Sequence, residues 1–77
     1  MRTSHEIIAE FSEIPAGQWF QYWVGNLAAD CKSGTPAVRF CARAVQGYFW
    51  RKYEDGLVDL MQRRAAPEVS AYLARKR

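Results

Sequence analysis

The segment between Thr35-Pro36 and Asp55-Gly56 is the feature that most constrains the fold. Threonine is a favoured N-cap, and proline fits the first turn of a helix. Glycine just after a last turn readily adopts the left-handed conformation that ends a helix. Between these two signals, apolar residues recur at helical spacing. The sequence therefore predicts one long helix, Pro36–Asp55.

The predicted long helix has two distinct faces. At ~100° per residue, Val38, Val45 and Phe49 fall in one narrow arc, flanked by apolar neighbours, which favours a core position. A second arc lies about 120° away by the same periodicity. This arc, which we call the arginine–tryptophan stripe, consists of Arg39, Arg43, Gln46 and Trp50.

Two interpretations of the arginine–tryptophan stripe are open. It is either a solvated helix face whose arginines pair with nearby acids, or a surface that binds a partner. No acid stands at i+4 from Arg39 or at i±4 from Arg43, and a solvated face rarely needs tryptophan. Arginine beside tryptophan offers bidentate donors and a stacking plane to a phosphate, a base or a carboxylate. All four residues are therefore candidate partner-binding residues.

A further flank of the same helix combines aromatic, small and basic residues. We call it the Phe40 flank, and its members are Phe40, Ala44, Gly47 and Arg51. Either the rest of the domain covers both sides of the helix, or this flank meets another chain, such as a second copy in a homodimer. The sequence slightly favours a helix that is covered on both sides.

Charge is unevenly spread along a chain of 77 residues, a length that predicts a single domain over residues 1–77. Residues 1–34 hold two bases and four acids, for a net charge of −2. Residues 35–77 hold nine bases and four acids, for a net charge of +5. The electropositive half directs attention to an acidic partner.

The first half of the chain predicts a helix, a strand and a short helical turn. Thr3 and Glu6 have the spacing of a capping box, and the apolar residues Ile7, Ile8, Phe11 and Ile14 follow at helical spacing before Pro15-Ala16-Gly17. Gln18–Val24 is β-prone, with Phe20, Tyr22 and Val24 on one face. Leu27–Asp30 is a candidate helical turn before a Lys32–Gly34 loop.

After the long helix, the sequence predicts a β-hairpin. Leu57–Arg63 and Val69–Ala74 are its strands, Ala65–Pro67 is its connection, and a basic tail, Arg75–Arg77, follows. The expected fold is α+β in the order α-β-(short α)-α-β-β, with the long helix packed on a three-stranded antiparallel sheet.

Basic residues mark the predicted hairpin tip. Arg63 and Arg64 are candidates for contacts with a nucleic-acid backbone. Charges at a hairpin tip also serve solubility and blunt an exposed strand edge, and both interpretations are open for these two arginines. For the basic tail, the solubility interpretation is favoured.

The residues that carry catalysis or bind metals are sparse. His5 is the only histidine and lies in the first turn of a helix, where we expect it to be solvated. Cys31 and Cys41 match no zinc-site spacing, and Cys41 falls beside the core arc. No phosphate-binding glycine loop, nucleophile elbow or paired-carboxylate motif is present. The sequence predicts a protein that is not an enzyme and holds no cofactor or metal.

The N-terminal segment lacks the apolar core of a secretory signal, and no apolar run approaches the ~18 residues of a membrane span. We therefore expect reduced thiols and a location in the cytoplasm of the host cell, without a membrane partner.

The order of elements resembles that of winged-helix domains. In that resemblance, Ala28–Lys32 stands for the second helix, Pro36–Asp55 for the recognition helix and Leu57–Ala74 for the wing. The second helix would be barely present, which is a departure from the family pattern.

Three short runs also resemble small phage and prophage proteins, a pool that includes anti-CRISPR proteins. The runs are Tyr22-x-x-Gly25-x-Leu27-Ala28-x-Asp30, Gly56-Leu57-Val58-x-Leu60-x-Gln62-Arg63-Arg64 and Tyr72-x-Ala74-Arg75. This resemblance implies a phage-type inhibitor that binds a host protein or nucleoprotein complex stoichiometrically and blocks its recognition of nucleic acid.

The alternative function is a winged-helix-like DNA-binding transcriptional regulator of a phage or prophage, whose partner would be nucleic acid. A third possibility is a structural phage component that assembles through the Phe40 flank.

Overall fold

The structure is a computed structural model that describes residues 2–77. Within these residues, three helices pack with one antiparallel sheet. The elements are α1 (Ser4–Glu13), β1 (Trp19–Gly25), α2 (Leu27–Ser33), α3 (Pro36–Glu54), β2 (Val58–Ala66) and β3 (Val69–Lys76). The three strands lie in the order β1-β3-β2. This arrangement confirms the predicted α+β class and the single long helix.

The predicted caps of α1 and α3 are present. The Thr3 side chain accepts a hydrogen bond from the Glu6 amide at 3.2 Å, and the Glu6 carboxylate accepts one from the Thr3 amide at 3.2 Å. The Thr35 hydroxyl accepts a hydrogen bond from the Val38 amide at 3.3 Å. At the other end of α3, Gly56 has the left-handed φ of 74°. Both helices thus begin and end where their terminal backbone groups find partners.

α2 is a longer helix than the sequence indicates. The predicted Lys32–Gly34 loop is wrong, since Lys32 and Ser33 are helical. The Asn26 side chain caps the helix by accepting a hydrogen bond from the Ala29 amide at 3.1 Å. Trp23 Nε1 also donates to Asp30 Oδ2 at 2.9 Å, which ties α2 to β1. These tertiary contacts extend a segment whose own pattern indicates only one turn.

A β-bulge at Tyr22 changes which face of β1 each residue occupies. Phe20 lies opposite Ala74, but the register shifts after Gln21, so that Trp23 lies opposite Tyr72. The bulge lets both Tyr22 and Trp23 contact the core. The predicted alternation is therefore wrong for Val24, which is 55% exposed.

The hairpin strands are also longer than predicted. β2 continues to Ala66 and β3 to Lys76, with the turn at Pro67 and Glu68. Lys76 is part of β3 rather than of a solvated tail, and its ammonium donates to the carbonyl oxygens of Ser12 at 2.8 Å and Ile14 at 2.7 Å. These bonds satisfy carbonyls at the end of α1.

One core joins all three helices to one face of the sheet. Phe49 of α3 is completely buried and stacks on Tyr22 with ring centroids 4.1 Å apart. The buried apolar residues are Ile7, Phe11, Phe20, Tyr22, Leu27, Cys31, Cys41, Ala42, Val45, Phe49, Val58 and Ala74. The predicted core arc of α3 is confirmed at Val45 and Phe49, whereas Val38 is half-buried.

Candidate partner-binding surface

The arginine–tryptophan stripe follows one side of α3. Arg43, Gln46 and Trp50 are exposed and Arg39 is half-buried. Within residues 2–77, the ion pairs are Arg2–Glu10, Arg75–Asp59 and Arg77–Asp59, so no carboxylate lies within 4.0 Å of Arg39 or Arg43. Both guanidinium groups are therefore left without an internal counter-charge, which makes this side of α3 electropositive.

α2 fixes the position of two stripe residues. Arg43 Nε donates a hydrogen bond to the carbonyl oxygen of Cys31 at 2.8 Å. Gln46 Oε1 accepts one from the Cys31 thiol at 3.1 Å. The Cys31 carbonyl belongs to the last turn of α2, where carbonyls have no helical partner. The bond leaves both terminal NH₂ groups of Arg43 available for a partner.

Trp50 stands at the edge of a groove between α3 and the sheet. Its side chain is 55% exposed, and its ring lies 5.4 Å from that of Tyr53 at an interplanar angle of 36°. The groove has a volume of about 290 Å³. Its lining residues are Tyr22, Leu27, Gln46, Trp50, Leu60, Met61, Gln62 and Tyr72.

The groove combines aromatic rings with amide and hydroxyl groups. Gln62 Nε2 donates to Ser70 Oγ at 3.1 Å, and Tyr72 Oη accepts from the Leu27 amide at 3.2 Å. Burial, with a smaller contribution from Tyr72, raises the pKa of Tyr22 to about 12. The lining includes no acid or base, so the groove itself is neutral and its charge comes from the arginines around it.

A second, more open depression adjoins the groove. Arg43, Gln46, Gly47 and Trp50 line it. Gln46 and Trp50 belong to both linings and so form the boundary between the two. A ligand that crosses Trp50 can therefore contact Arg43 on one side and the sheet on the other.

The hairpin arginines lie on opposite faces of β2. Arg64 pairs with Ser70, and Gln62 also bonds to Ser70, so the two-residue period places Arg64 on the groove side. Arg63 pairs with Ala71 and points to the opposite face, together with Val24. Arg64 thus extends the stripe surface toward the hairpin tip, whereas Arg63 belongs to a different surface.

The Phe40 flank is open to solvent. Phe40 is 75% exposed, and a Cβ added at Gly47 would meet no atom within 4 Å. The favoured interpretation, a helix covered on both sides, is therefore wrong. α1, α2 and the sheet all pack around the opposite side of α3, because the core residues of α3 face that way. The flank remains available to another chain.

Sequence reasoning missed a cluster on the helix-free face of the sheet. Arg75 Nη2 and Arg77 Nε each donate to the Asp59 carboxylate at 2.9 Å, and the Arg75 guanidinium lies 4.6 Å from the centre of the Trp19 ring. The hydrogen bond from Arg75, which has the larger effect, and the one from Arg77 hold the pKa of Asp59 below its ordinary value. The basic tail therefore contributes to the fold, and its interpretation as a tail for solubility is wrong. These contacts depend on the register of β2 and β3, which the sequence pattern does not reveal.

His5, Cys31 and Cys41 do not form a metal-binding group among residues 2–77. His5 is exposed, as expected, whereas Cys31 and Cys41 are buried free thiols. Burial raises the pKa of Cys41, which keeps it a protonated, apolar core residue. Among residues 2–77, no three His, Cys, Asp or Glu side chains form a group that would hold a metal ion. The described helices also include none whose length and apolar character suit a membrane span.

Comparison of the chain with protein-family models, with curated proteins and with solved structures found no match. The geometry and charge of the stripe surface are therefore the basis for assigning a function.

Proposed function

We propose that the protein is a non-catalytic, winged-helix-like DNA-binding protein that contacts DNA through α3 and the β2–β3 hairpin. One observation carries this proposal. Three arginines of the stripe surface, Arg39, Arg43 and Arg64, have no carboxylate within 4.0 Å among residues 2–77. Unpaired arginines on a helix and the hairpin that follows it suit the phosphates of a duplex.

The element order supports the same proposal. α2 ends at Ser33 and α3 begins at Pro36, so a short turn joins two helices, as in helix-turn-helix proteins. β2 and β3 form the hairpin that follows α3, in the place that a wing has in winged-helix proteins, and β3 also pairs with β1. In this arrangement α3 would enter the major groove, where Gln46 Nε2 can donate to N7 of a purine. A transcriptional regulator of a phage or prophage, acting in the host cytoplasm, fits this role.

Fluorescence anisotropy with labelled DNA duplexes over a series of salt concentrations tests the proposal. Since each phosphate contact releases counterions, the logarithm of the affinity should fall linearly with the logarithm of the salt concentration. Replacing two contact arginines in R39Q/R43Q should weaken binding at least ~10-fold and make the slope shallower by about 1.8.

R2Q is the matched control, because Arg2 pairs with Glu10 on α1, outside the proposed surface. It should bind DNA almost as well as the unmodified protein. Absence of duplex binding at low salt, or an equal loss in R2Q, would refute the proposal.

The second candidate function is inhibition of a host nucleoprotein complex, and the exposed aromatic residues favour it. Trp50 and Phe40 are 55% and 75% exposed, and tryptophan with arginine is typical of protein-binding hot spots. In this role the stripe would contact acidic groups on the host protein and block its binding of nucleic acid. Co-elution with a purified host complex, abolished by Trp50→Ala and without duplex binding at low salt, would favour inhibition over regulation.

A further inference from the structure

The groove beside Trp50 has the size and walls of a site for one planar ring. Its volume of about 290 Å³ lies at the lower end of the range for small-molecule sites, which disfavours a large cofactor. The indole of Trp50 is exposed at the edge and rests against Tyr53. Such an indole offers a stacking surface to a nucleic-acid base.

Two glutamine amides give the groove hydrogen-bonding capacity. Gln46 uses its carbonyl oxygen for the Cys31 thiol, which leaves its Nε2 hydrogens for a ligand. Gln62 uses Nε2 for Ser70, which leaves its Oε1. The groove therefore offers an amide donor group from Gln46 and a carbonyl acceptor from Gln62. Adjacent donors and acceptors along the edge of a base complement such a pair.

Charge around the groove favours an anionic ligand. Arg43 lines the depression on the far side of Trp50, and Arg64 extends from β2 on the groove side. Neither lining includes an acid. A chain of phosphates can therefore pass from Arg43 across Trp50 toward Arg64 and find favourable charge at both ends.

We propose that this groove binds one unstacked base of a single-stranded nucleic acid. The base stacks on Trp50 and bonds to Gln46 and Gln62, while its flanking phosphates contact Arg43 and Arg64. A base inside a duplex is stacked on both faces, so only an unstacked base can enter. The inference rests on the proposed nucleic-acid function and extends it from duplex to single-stranded ligands.

Anisotropy with labelled oligo-dT and with a duplex, both at low salt, tests the inference. Loss of one base–aromatic stack in Trp50→Ala should weaken oligo-dT binding ~10-fold or more. Duplex binding should change much less, because its phosphate contacts remain. Oligo-dT should also quench tryptophan fluorescence in the unmodified protein, and the variant should lose most of this quenching.

Phe40→Ala is the matched control, since it removes another exposed aromatic side chain of α3 that lies outside the groove. It should leave oligo-dT binding unchanged. Equal losses of oligo-dT affinity in Trp50→Ala and Phe40→Ala would overturn the inference, as would binding of the duplex without binding of oligo-dT. Neither result would contradict the proposed duplex-binding function. Binding of the duplex but not of oligo-dT is the result expected if the groove accepts only an apolar side chain of a protein partner. If neither duplex nor oligo-dT binds, the proposed function fails as well.

Discussion

Arg43 Nε donates a 2.8 Å hydrogen bond to the backbone carbonyl of Cys31. This contact joins the proposed binding surface on α3 to the last turn of α2. Arg43 thus has a structural role in addition to its proposed role in binding. Arg39, one turn earlier on the same helix, makes no side-chain hydrogen bond within residues 2–77. The two arginines should therefore differ in their effects on stability.

Replacement of each arginine by glutamine separates these roles. Arg43→Gln should lower the free energy of unfolding by ~1 kcal/mol, the usual contribution of a hydrogen bond. Arg39→Gln should change it by less than ~0.5 kcal/mol, as most surface substitutions do. Urea unfolding followed by circular dichroism measures both values. Equal effects on stability would show that the Cys31 contact contributes nothing.

Gly47 gives a prediction of increased stability. It lies within α3, and an added Cβ would meet no atom within 4 Å. Alanine is favoured over glycine inside a helix by ~1 kcal/mol, because glycine loses more backbone entropy on folding. Gly47→Ala should therefore raise the free energy of unfolding by ~0.5–1 kcal/mol in urea titrations. A loss of stability would indicate that something packs against this flank.

Gly25 should respond in the opposite direction. Its φ is 136°, and an added Cβ would lie 3.0 Å from Asp30 Oδ2, the atom that accepts the Trp23 indole hydrogen bond. Gly25→Ala should cost at least ~1 kcal/mol of stability, since alanine disfavours this φ. The same urea titration checks this result, and Gly47→Ala is its control because it makes the same substitution inside a helix. Equal stability of Gly25→Ala and the unmodified protein would contradict it.

Local signals predicted the parts of the fold that local contacts determine. The caps at Thr3 and Thr35 and the core position of Phe49 depend on spacing within one helix, and the structure confirms them. The bulge at Tyr22 depends on how β1 pairs with β3. No pattern within β1 itself carries that information, so strict alternation predicts the wrong face for Val24.

The candidate surface was predictable only in part, for the same reason. Helical periodicity places Arg43 and Trp50 on one side of α3. The groove beside them also needs Gln62 and Tyr72, which the sheet brings to α3 from the other end of the sequence. Arg64 joins this surface while Arg63 does not, because strand alternation depends on the observed register.

Asp59 should make stability depend on pH. Hydrogen bonds from Arg75 and Arg77 lower the pKa of its carboxyl in the folded protein. A folded-state pKa below the unfolded value contributes stability above the unfolded pKa of about 3.9, and this contribution is lost as the pH falls through the folded pKa. Asp59→Asn should therefore be less stable at neutral pH.

Urea unfolding at a series of pH values tests the Asp59 prediction. The difference in the free energy of unfolding between Asp59→Asn and the unmodified protein should disappear in the acidic range below the ordinary aspartate pKa. Glu68→Gln serves as a control, because Glu68 lies in the hairpin turn and makes no ion pair within residues 2–77. A difference that stays constant across the whole range would exclude an ionised Asp59 as the source of the stabilisation.

Tyr22 should ionise late in an alkaline titration. Burial against Phe49 disfavours its charged form and raises its pKa to about 12. Because the folded pKa exceeds the ordinary value of about 10, the contribution of Tyr22 to stability is complete below that value and is lost as the pH rises through the folded pKa of about 12. Absorbance titration in the alkaline range should show one late step, which Tyr22→Phe removes. Tyr53→Phe, at a 43% exposed position, should retain that step. Absence of the late step in the unmodified protein, while circular dichroism still reports a folded state, would contradict the burial of the Tyr22 hydroxyl.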